Sequence, residues 1–260
     1  FHLYSHSASD LTAKELFHWH ECITSGRRDL DDIGGYRTHA DPMVIIEGGI
    51  EKPKIHFEAP PSSQVATEME QYIQWFNSSR DLAPLERAGI AHLYFLAIHP
   101  FEDGNGRIAR ALSEKCLAQA FATPMLPAIS PILMKRRKEY YLALRSTNRT
   151  LDLTEWLLFF AEVVLESRQY MQTKLENIRC KDEIVRTHSD SLHPRQLKVV
   201  LRLIDAAPTG FVGGLSAENY IAMTKVSRAT ATRDLVKLTE LGLLRREGSG
   251  KGTRYYFASE

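Results

Sequence analysis

One helix without a polar face constrains the fold of this chain more than any other feature. It begins at Pro84 and ends in the run IAHLYFLAI, which leaves almost no side of the helix for water. A helix of this kind is stable only when other elements surround it. Pro100 disfavours a helical conformation at His99, so the helix is expected to end there. The sequence therefore predicts a bundle of helices around residues 84–98.

Helical periodicity recurs on both sides of this segment, so we expect a mainly α fold. Ser9 and Asp10 are the expected caps of the first helix. Two apolar runs, residues 43–46 and 54–57, flank a stretch with Gly-Gly and Pro, which is typical of a β-hairpin. The remaining helices are predicted over residues 9–24, 65–76, 106–121, 131–145 and 152–186.

The end of the chain, residues 189–260, differs in character from residues 1–188 and is predicted to form a second domain. It shows a helix, a helix–turn–helix with Ser216 and Ser227 as caps, and two strands around a Gly-rich turn. This order resembles a winged helix-turn-helix. The region is mildly basic, and we consider both DNA and a protein partner as its ligand. The candidate contact residues are Lys225, Arg228 and Arg233.

Composition and charge exclude several classes of protein. The formal net charge is +1 over 260 residues, which favours no strongly acidic partner. The three cysteines are widely spaced and lack a C-x-x-C pair, so we expect no disulfide framework and a cytoplasmic location. No run of about 18 apolar residues occurs, so no membrane contact is expected. On the first helix only His18 and Cys22 share a face, so the segment around His20 is predicted to pack rather than bind metal.

The stretch HPFEDGNGRIAR follows the apolar helix and carries the candidate chemistry. The two glycines of Gly104-Asn105-Gly106 let successive N–H groups face one concavity, and a helix begins directly afterwards. A helix N-terminus of this kind binds anions, phosphate above all. Arg107 and Arg110 lie on neighbouring faces of the first turn, and each can donate forked hydrogen bonds to phosphate. The loop alone fits a simple turn, but its combination with two arginines favours a polyphosphate site.

A histidine and an acid in the same stretch suit the chemistry of a magnesium polyphosphate. Asp103 is the candidate Mg²⁺ ligand, because Mg²⁺ is typically shared between one or two carboxylates and the phosphates of a substrate. The side chain of Glu102 is expected to point elsewhere. His99 can accept a proton near neutral pH, so it is the candidate general base for a hydroxyl that attacks phosphorus.

These residues match the signature H-x-F-x-[D/E]-G-N-G-R-x-x-R of the Fic family at every specified position, and the chain resembles that family over residues 33–161. The resemblance implies a Fic-type helical bundle in which the hairpin is a flap. It also implies transfer of AMP from ATP to a Tyr, Ser or Thr hydroxyl of a target protein. By position, His99 would be the base, Phe101 the anchor of the loop and Asp103 the Mg²⁺ ligand. The phosphates of ATP would be held by Gly104, Asn105, Gly106, Arg107 and Arg110.

The same resemblance assigns the adenine pocket and the flap. Tyr141 and Asn148 resemble positions that line the adenine pocket, although a core tyrosine and a helix-end asparagine fit them equally well. The flap edge would pair with the backbone of the target protein. A purely structural hairpin is the alternative. The flap residues concerned are Val44, Ile45, Ile46 and Glu47.

Other functions stay open at this point. Within the Fic family they are removal of AMP and transfer of UMP, phosphocholine or phosphate, of which the intact loop disfavours the last. Outside it, the rival is a transcription regulator that senses a nucleotide in one domain and binds DNA through the other. A homodimer is compatible with both. The inhibitory pattern S/T-x-x-x-E-G/N of many Fic proteins has no match here, and we expect it to precede Phe1 rather than to be replaced by another mode of regulation.

Overall fold

The computed structural model describes residues 8–47, 54–121, 129–147, 152–206 and 213–258. These residues fall into two compact units, Phe1–Arg168 and Gln169–Glu260. The sequence places the domain boundary at 188/189 instead, at the end of a long helix. Within the described part of the chain, no helix is both long and apolar enough to cross a membrane.

Helix α1 (Ala13–Thr24) begins later than predicted. Its cap is Thr12, whose hydroxyl accepts a hydrogen bond from the Glu15 amide at 3.2 Å. Ser9 and Asp10 have tertiary contacts instead. The Ser9 carbonyl accepts from the side chain of Gln119 at 3.0 Å, and the Asp10 carboxylate binds Arg80 at 2.6 Å. The predicted capping by Ser9 and Asp10 is therefore wrong, because packing partners far along the chain use both residues.

A two-stranded antiparallel sheet follows, as predicted, made of β1 (Val44–Glu47) and β2 (Lys54–Glu58). Val44 pairs with Glu58, and the register shifts between Ile45 and Ile46. The turn between the strands lies outside the described residues. The Ala59 amide donates to the Met43 carbonyl at 2.9 Å, which extends the pairing at the base of the hairpin.

Three long helices form the centre of the first unit. They are α2 (Ser62–Ser78), α3 (Pro84–Ile98) and α4 (Asn105–Phe121). Helix α3 is buried on most of its surface, as its sequence predicts, and even Arg87 and His92 lie inside. At Gly89 a Cβ would lie 2.9 Å from the Leu157 side chain, so glycine permits the close approach of the helix that contains Leu157.

The segment predicted as one helix over residues 131–145 is instead two, α5 (Ile129–Lys135) and α6 (Arg137–Thr147). They are interrupted at Arg136, whose guanidinium binds Glu139, Glu162 and Glu166 at 2.6, 2.8 and 2.9 Å. Two of these acids lie 26 and 30 positions beyond Arg136 in the sequence, so the interruption has no local signature. Helix α7 (Thr154–His188) then runs for 35 residues.

The second unit has the predicted order of elements. It contains α8 (Pro194–Asp205), α9 (Ala217–Thr224), α10 (Arg228–Glu240), β3 (Leu244–Glu247) and β4 (Arg254–Phe257). Ser216 and Ser227 cap α9 and α10 as predicted, with hydroxyl-to-amide distances of 3.1 and 3.3 Å. Inside this unit Asp234 is buried, and its carboxylate accepts hydrogen bonds from Arg195 and Tyr220 at 2.7 and 3.0 Å.

Candidate active site

The loop between α3 and α4 is held in one shape by a glycine and an asparagine. Gly104 has a φ of +85°, and a Cβ there would lie 2.7 Å from the Ile23 side chain. Asn105 is buried, and its side chain accepts from the Phe101 amide at 3.0 Å and donates to the Phe101 carbonyl at 2.6 Å. The Asn105 side chain is therefore a brace for the loop, although the sequence assigns it to phosphate binding.

A polar groove opens at the N-terminus of α4. The first N–H groups of a helix have no partner within the helix, so those of Asn105 and Gly106 are available to an anion. Gly106 has helical backbone angles, and a Cβ there would make only an ordinary van der Waals contact with Arg110 Nη1, at 3.5 Å. The groove is lined by His99, Glu102, Asp103, Gly104, Asn105, Gly106, Arg107 and Arg110.

The two arginines of the groove differ in how far they are engaged. Arg107 donates to the Ile23 carbonyl at 2.8 Å and contacts Asp103 at 3.3 Å. For Arg110 the described residues provide neither an ion pair nor a hydrogen bond, so its guanidinium is free to bind a ligand. Of the two, Arg110 is thus the one prepared to accept a phosphate without breaking an existing contact.

The two carboxylates of the stretch are engaged differently. Glu102 borders the groove, but its Oε2 accepts the amides of Asp31 and Asp32 at 2.9 and 3.0 Å. Asp103 borders the groove and accepts from the Gly104 amide at 2.6 Å and from Arg27 at 2.6 Å. Burial opposes its charge, but these two hydrogen bonds and the charges of Arg107 and Arg27 together lower the pKa of Asp103. The carboxylate is therefore ionised at neutral pH.

His99 lies at the C-terminus of α3 in the left-handed conformation, with a φ of 52°. This conformation costs a residue other than glycine about 1–2 kcal/mol. The Nδ1 atom is 3.2 Å from the Leu96 carbonyl, and since a carbonyl only accepts, Nδ1 carries the proton. Nε2 is therefore left with its lone pair. Burial lowers the pKa of His99 more than this hydrogen bond raises it, which keeps the ring neutral at pH 7.

An apolar cavity of about 310 Å³ adjoins the polar groove. Its size falls at the lower end of the range typical of small-molecule sites. It shares His99, Gly106 and Arg110 with the groove, so the two form one continuous depression. The other residues that line it are Phe57, Leu93, Leu96, Ala97, Tyr140, Tyr141 and Leu144.

Residues 10–117, which include this groove, match the model of the Fic/DOC family. This part of the chain is similar to Fic/DOC domains. Protein adenylyltransferase Fic of Drosophila melanogaster is 31% identical over 155 residues, which is 59% of this chain and 28% of that protein. The protein of the same name from Drosophila grimshawi is 33% identical over 130 residues, 48% of this chain and 25% of that protein. The match thus spans less than a third of each relative.

Solved structures show a similar fold. A Fic family protein from Desulfovibrio desulfuricans has a TM-score of 0.54 at 21% identity, covering 100% of this chain and 73% of that one. A Fic domain containing signaling protein from Bacteroides thetaiotaomicron has a TM-score of 0.52 at 22% identity, covering 64% of this chain and 65% of that one. At such identities the likeness concerns the fold alone.

Several residues of the first unit that support the site were not predicted from the sequence. His20, predicted to pack, stacks on Phe101 with ring centroids 4.2 Å apart and lies 3.2 Å from the Asp103 carbonyl. Its Nδ1 accepts the Gly34 amide at 3.1 Å, so Nε2 is the donor and the ring is neutral. Arg37 binds the backbone of His99. A histidine two positions from another on a helix gives no sequence signal for such a role.

The remaining predicted residues lie in different parts of the structure. Tyr141 lines the apolar cavity, while Asn148 lies outside the described residues. Among the flap residues, Val44 is half-buried, and the backbone of the others forms the rest of β1. In the described residues, no group of three or more histidines, cysteines or acids could hold a metal ion. The three contact residues predicted for the second unit, Lys225, Arg228 and Arg233, are all exposed.

Proposed function

We propose that this chain transfers AMP from ATP to a hydroxyl side chain of a target protein. One observation carries the proposal: the neutral His99, with a free Nε2, lines both the groove at the α4 N-terminus and the adjoining apolar cavity. A triphosphate in the groove and a nucleobase in the cavity would bring the α-phosphate near this base. The relatives named protein adenylyltransferase Fic support the same reaction.

In the proposed reaction, His99 Nε2 accepts the proton of a Tyr, Ser or Thr hydroxyl as its oxygen attacks the α-phosphorus. A new P–O bond forms to the target protein, and the bond between the α-phosphorus and the β-bridging oxygen breaks. Pyrophosphate leaves with the electron pair of that bond. The Asn105 and Gly106 amides and Arg110 would bind the phosphate oxygens and stabilise the charge that builds up on them.

The donor set of the groove fits a magnesium ion shared with ATP. Asp103 is ionised and borders the groove, which satisfies the usual need for one carboxylate beside substrate phosphates. Arg27 and Arg107 both bind the Oδ2 atom of Asp103, and they would have to share this oxygen with the magnesium ion. Bound there, Mg²⁺ would neutralise phosphate charge; Asp103 is the residue proposed to hold it.

The hairpin is the proposed docking site for the target protein. Within the described residues β1 and β2 form a sheet of their own, so each strand keeps one edge unpaired. An extended segment of a target could add to the edge of β1 through main-chain hydrogen bonds. Since β2 supplies Phe57 to the cavity, a segment bound at the hairpin would lie close to the nucleotide.

The decisive experiment compares two labels of ATP. The protein, Mg²⁺ and a cell lysate are incubated with ATP labelled at the α- or the γ-phosphate. Label on protein is expected only from the α-position, and His99→Ala should abolish it. His18→Ala, which removes an exposed histidine on α1, is the matched control and should keep it. Mass spectrometry of the labelled proteins should show an added AMP.

Other outcomes would redirect the proposal. Label from the γ-phosphate would indicate phosphate transfer, and label from UTP in place of ATP would indicate transfer of UMP. Loss of AMP from a pre-labelled protein would indicate the reverse activity. No transfer with any nucleotide would contradict the proposal as a whole.

A second candidate is nucleic-acid binding by the second unit as a winged helix-turn-helix. It is supported by Lys225 in the turn before α10 and by Arg228 and Arg233 on α10, all of which are exposed. Cations at these positions could meet phosphates of DNA. Retardation of a random duplex that weakens with salt, and is lost in Arg228→Ala with Arg233→Ala, would support it. Retardation that depends on ATP, without AMP transfer, would favour a nucleotide-sensing transcription regulator.

A further inference from the structure

Arg37 is a buried arginine for which the described residues offer no carboxylate. Only 2% of it is exposed, yet every nitrogen of its guanidinium has a hydrogen-bond partner. Nε donates to the His99 carbonyl at 2.8 Å, and Nη1 donates to the Ser62 hydroxyl at 2.8 Å. Nη2 donates to the carbonyls of Pro60 and Ile98. All of these acceptors are neutral, which is unusual for a buried cation.

The position of Arg37 explains why its charge is tolerated. The carbonyls of Ile98 and His99 belong to the last turn of α3, where they have no partner within the helix and carry partial negative charge. The Arg37 guanidinium supplies donors and a positive charge at this helix end. The Arg37 amide also donates to the Pro100 carbonyl at 2.9 Å, so backbone and side chain both bind the segment around His99.

The other side of the guanidinium binds the base of the hairpin. Pro60 follows β2, and Ser62 is the first residue of α2. The Ser62 hydroxyl accepts from Arg37 and donates to the His39 carbonyl at 2.6 Å, so the chain entering the hairpin is bound as well. One side chain thus joins three segments: the entry to the hairpin, its exit and the residue with the free Nε2.

We propose that Arg37 is a positioning residue that couples the base of the hairpin to His99, so that a target docked on the hairpin and the base that activates it are aligned together. This inference rests on the proposed function for the role of His99. Arg37 touches neither the groove nor the apolar cavity. It acts through the backbone of His99, whose left-handed conformation sets the direction of the ring.

The first test needs no substrate. The imidazole signals of His99 are followed by NMR in protein labelled at histidine, and the His99 signal is identified by its loss in His99→Gln. Ser62→Ala removes a hydrogen bond on the hairpin side of Arg37, without a contact to His99. It is expected to shift the His99 signal, whereas Ser78→Ala, at the far end of the same helix and exposed, should not. An unchanged His99 signal in Ser62→Ala would overturn the coupling.

Two substitutions of Arg37 separate charge from geometry. The charges that act on the His99 ring are those of Arg37 and Asp103, the first lowering its pKa and the second raising it. Arg37→Lys keeps the charge but cannot reach three acceptors, so the His99 signal should move while its pKa stays low. Arg37→Gln also removes the charge, and the pKa of His99 should rise. If Arg37→Gln fails to fold, Arg37→Lys and Ser62→Ala still decide the question.

Kinetics give the second test. Arg37→Lys is expected to lower kcat for AMP transfer at least tenfold while the KM for ATP changes less than twofold, because a small misalignment affects the reaction step more than nucleotide binding. The control is the exposed ion pair of Arg80 with Asp10, and Arg80→Gln should keep both constants. Wild-type kcat in Arg37→Lys would overturn the inference. Absence of transfer by the wild type would instead refute the proposed function, and the NMR test would still stand.

Discussion

Asn105 and Gly106 are neighbours in the phosphate loop and contribute to it in different ways. The Asn105 side chain is used within the loop, where it binds both backbone groups of Phe101. Gly106 lines the groove, and a Cβ there would make only an ordinary van der Waals contact with Arg110 Nη1, at 3.5 Å. A substitution at Asn105 should therefore disturb the shape of the loop, whereas one at Gly106 should leave the loop intact and obstruct its ligand.

Gly104→Ala should destabilise the protein more than Gly26→Ala. Both glycines have a positive φ, so alanine is strained at either position, by about 1 kcal/mol. Only at Gly104 would the new Cβ also meet a side chain, Ile23 Cδ1 at 2.7 Å, while at Gly26 the space is open. The free energy of unfolding is measured by urea denaturation.

Ile23→Val tests the cause of that difference. It removes Cδ1, so in the Gly104→Ala background it should recover part of the lost free energy of unfolding and part of the activity. In the wild-type background it should only destabilise, by about 0.5–1.5 kcal/mol. Equal losses for Gly104→Ala and Gly26→Ala would show that strain alone matters at the loop.

Stability should fall on acidification because the buried histidines are neutral. Burial lowers the pKa of His92 to about 3, while the unfolded chain takes up its proton near pH 6.5. The folded state therefore resists protonation, and stability present above pH 6.5 is lost as the pH falls towards 3. Burial also lowers the pKa of His20 and His99, which adds to the loss in the same direction.

The contribution of His92 can be isolated by urea denaturation at pH 7, 6, 5 and 4. For a fully buried neutral histidine, each pH unit well below 6.5 should cost about 1.4 kcal/mol, and the step from pH 7 to 6 less. His92→Asn keeps a polar side chain for Ser113 and Tyr140 and removes the titration, so its stability should depend less steeply on pH. The exposed His18→Asn should run parallel to the wild type. A slope unchanged in His92→Asn would contradict the assignment.

At the scale of single residues, the sequence predicts the residues that line the groove but not the residues that hold them in place. His99, Asp103 and Arg110 lie along one groove, as their spacing predicts. Arg37 and His20 escape prediction because their partners are 62 and 83 positions away, and no local pattern records such contacts. The side chains that act on a ligand are close in sequence, whereas those that orient them come from other elements.

At the scale of elements, the hairpin has a second role besides presenting an edge. Phe57 on β2 lines the apolar cavity together with Tyr140 and Tyr141 of α6. The hairpin and a helix from the other end of the unit thus form two walls of one pocket. An element proposed to bind the target protein also contributes to the proposed nucleobase site.

Phe57→Ala should therefore weaken nucleotide binding. An aromatic contact contributes about 0.5–1.5 kcal/mol beyond its buried area, so we expect the Kd for a fluorescent ATP analogue to rise about three- to tenfold. Phe121→Ala, an exposed phenylalanine at the end of α4, is the matched control. A Kd equal to that of the wild type would place the nucleobase elsewhere.

Element boundaries are predicted well where one residue determines them. Helix α3 ends at Ile98 because Pro100 follows, and α9 and α10 begin after Ser216 and Ser227. The prediction fails where tertiary contacts compete with local preference. At the start of α1, Asp10 binds Arg80 and is unavailable as a cap.

At the scale of the whole molecule, two separate apolar cores account for the two compact units. The first contains residues from α1 to the early turns of α7, and the second contains Ile184 from the late turns of α7. The sequence predicts that two domains exist, since the periodicity and charge change after residue 188. It cannot show that α7 contributes to both cores, because the helix reads as one uninterrupted element.

Leu235→Ala and Val163→Ala should act on different units. Both side chains are fully buried, Leu235 in the second core and Val163 in the first, and each truncation should cost about 1–5 kcal/mol. Hydrogen exchange should show faster exchange chiefly in residues 189–258 for Leu235→Ala, and chiefly in residues 62–121 for Val163→Ala. Uniform acceleration in both variants would show that the chain unfolds as a single unit.

The placement of Phe57 also bears on the timing of the proposed reaction. A strand added to the hairpin would hold β2 in place, and Phe57 would then close one side of the pocket for as long as the target stays bound. A nucleotide in the ternary complex would leave more slowly than from the binary one. Binding would thus be ordered, with ATP entering before the target. The nucleotide would stay bound longer while a target is docked, which would leave more time for the transfer.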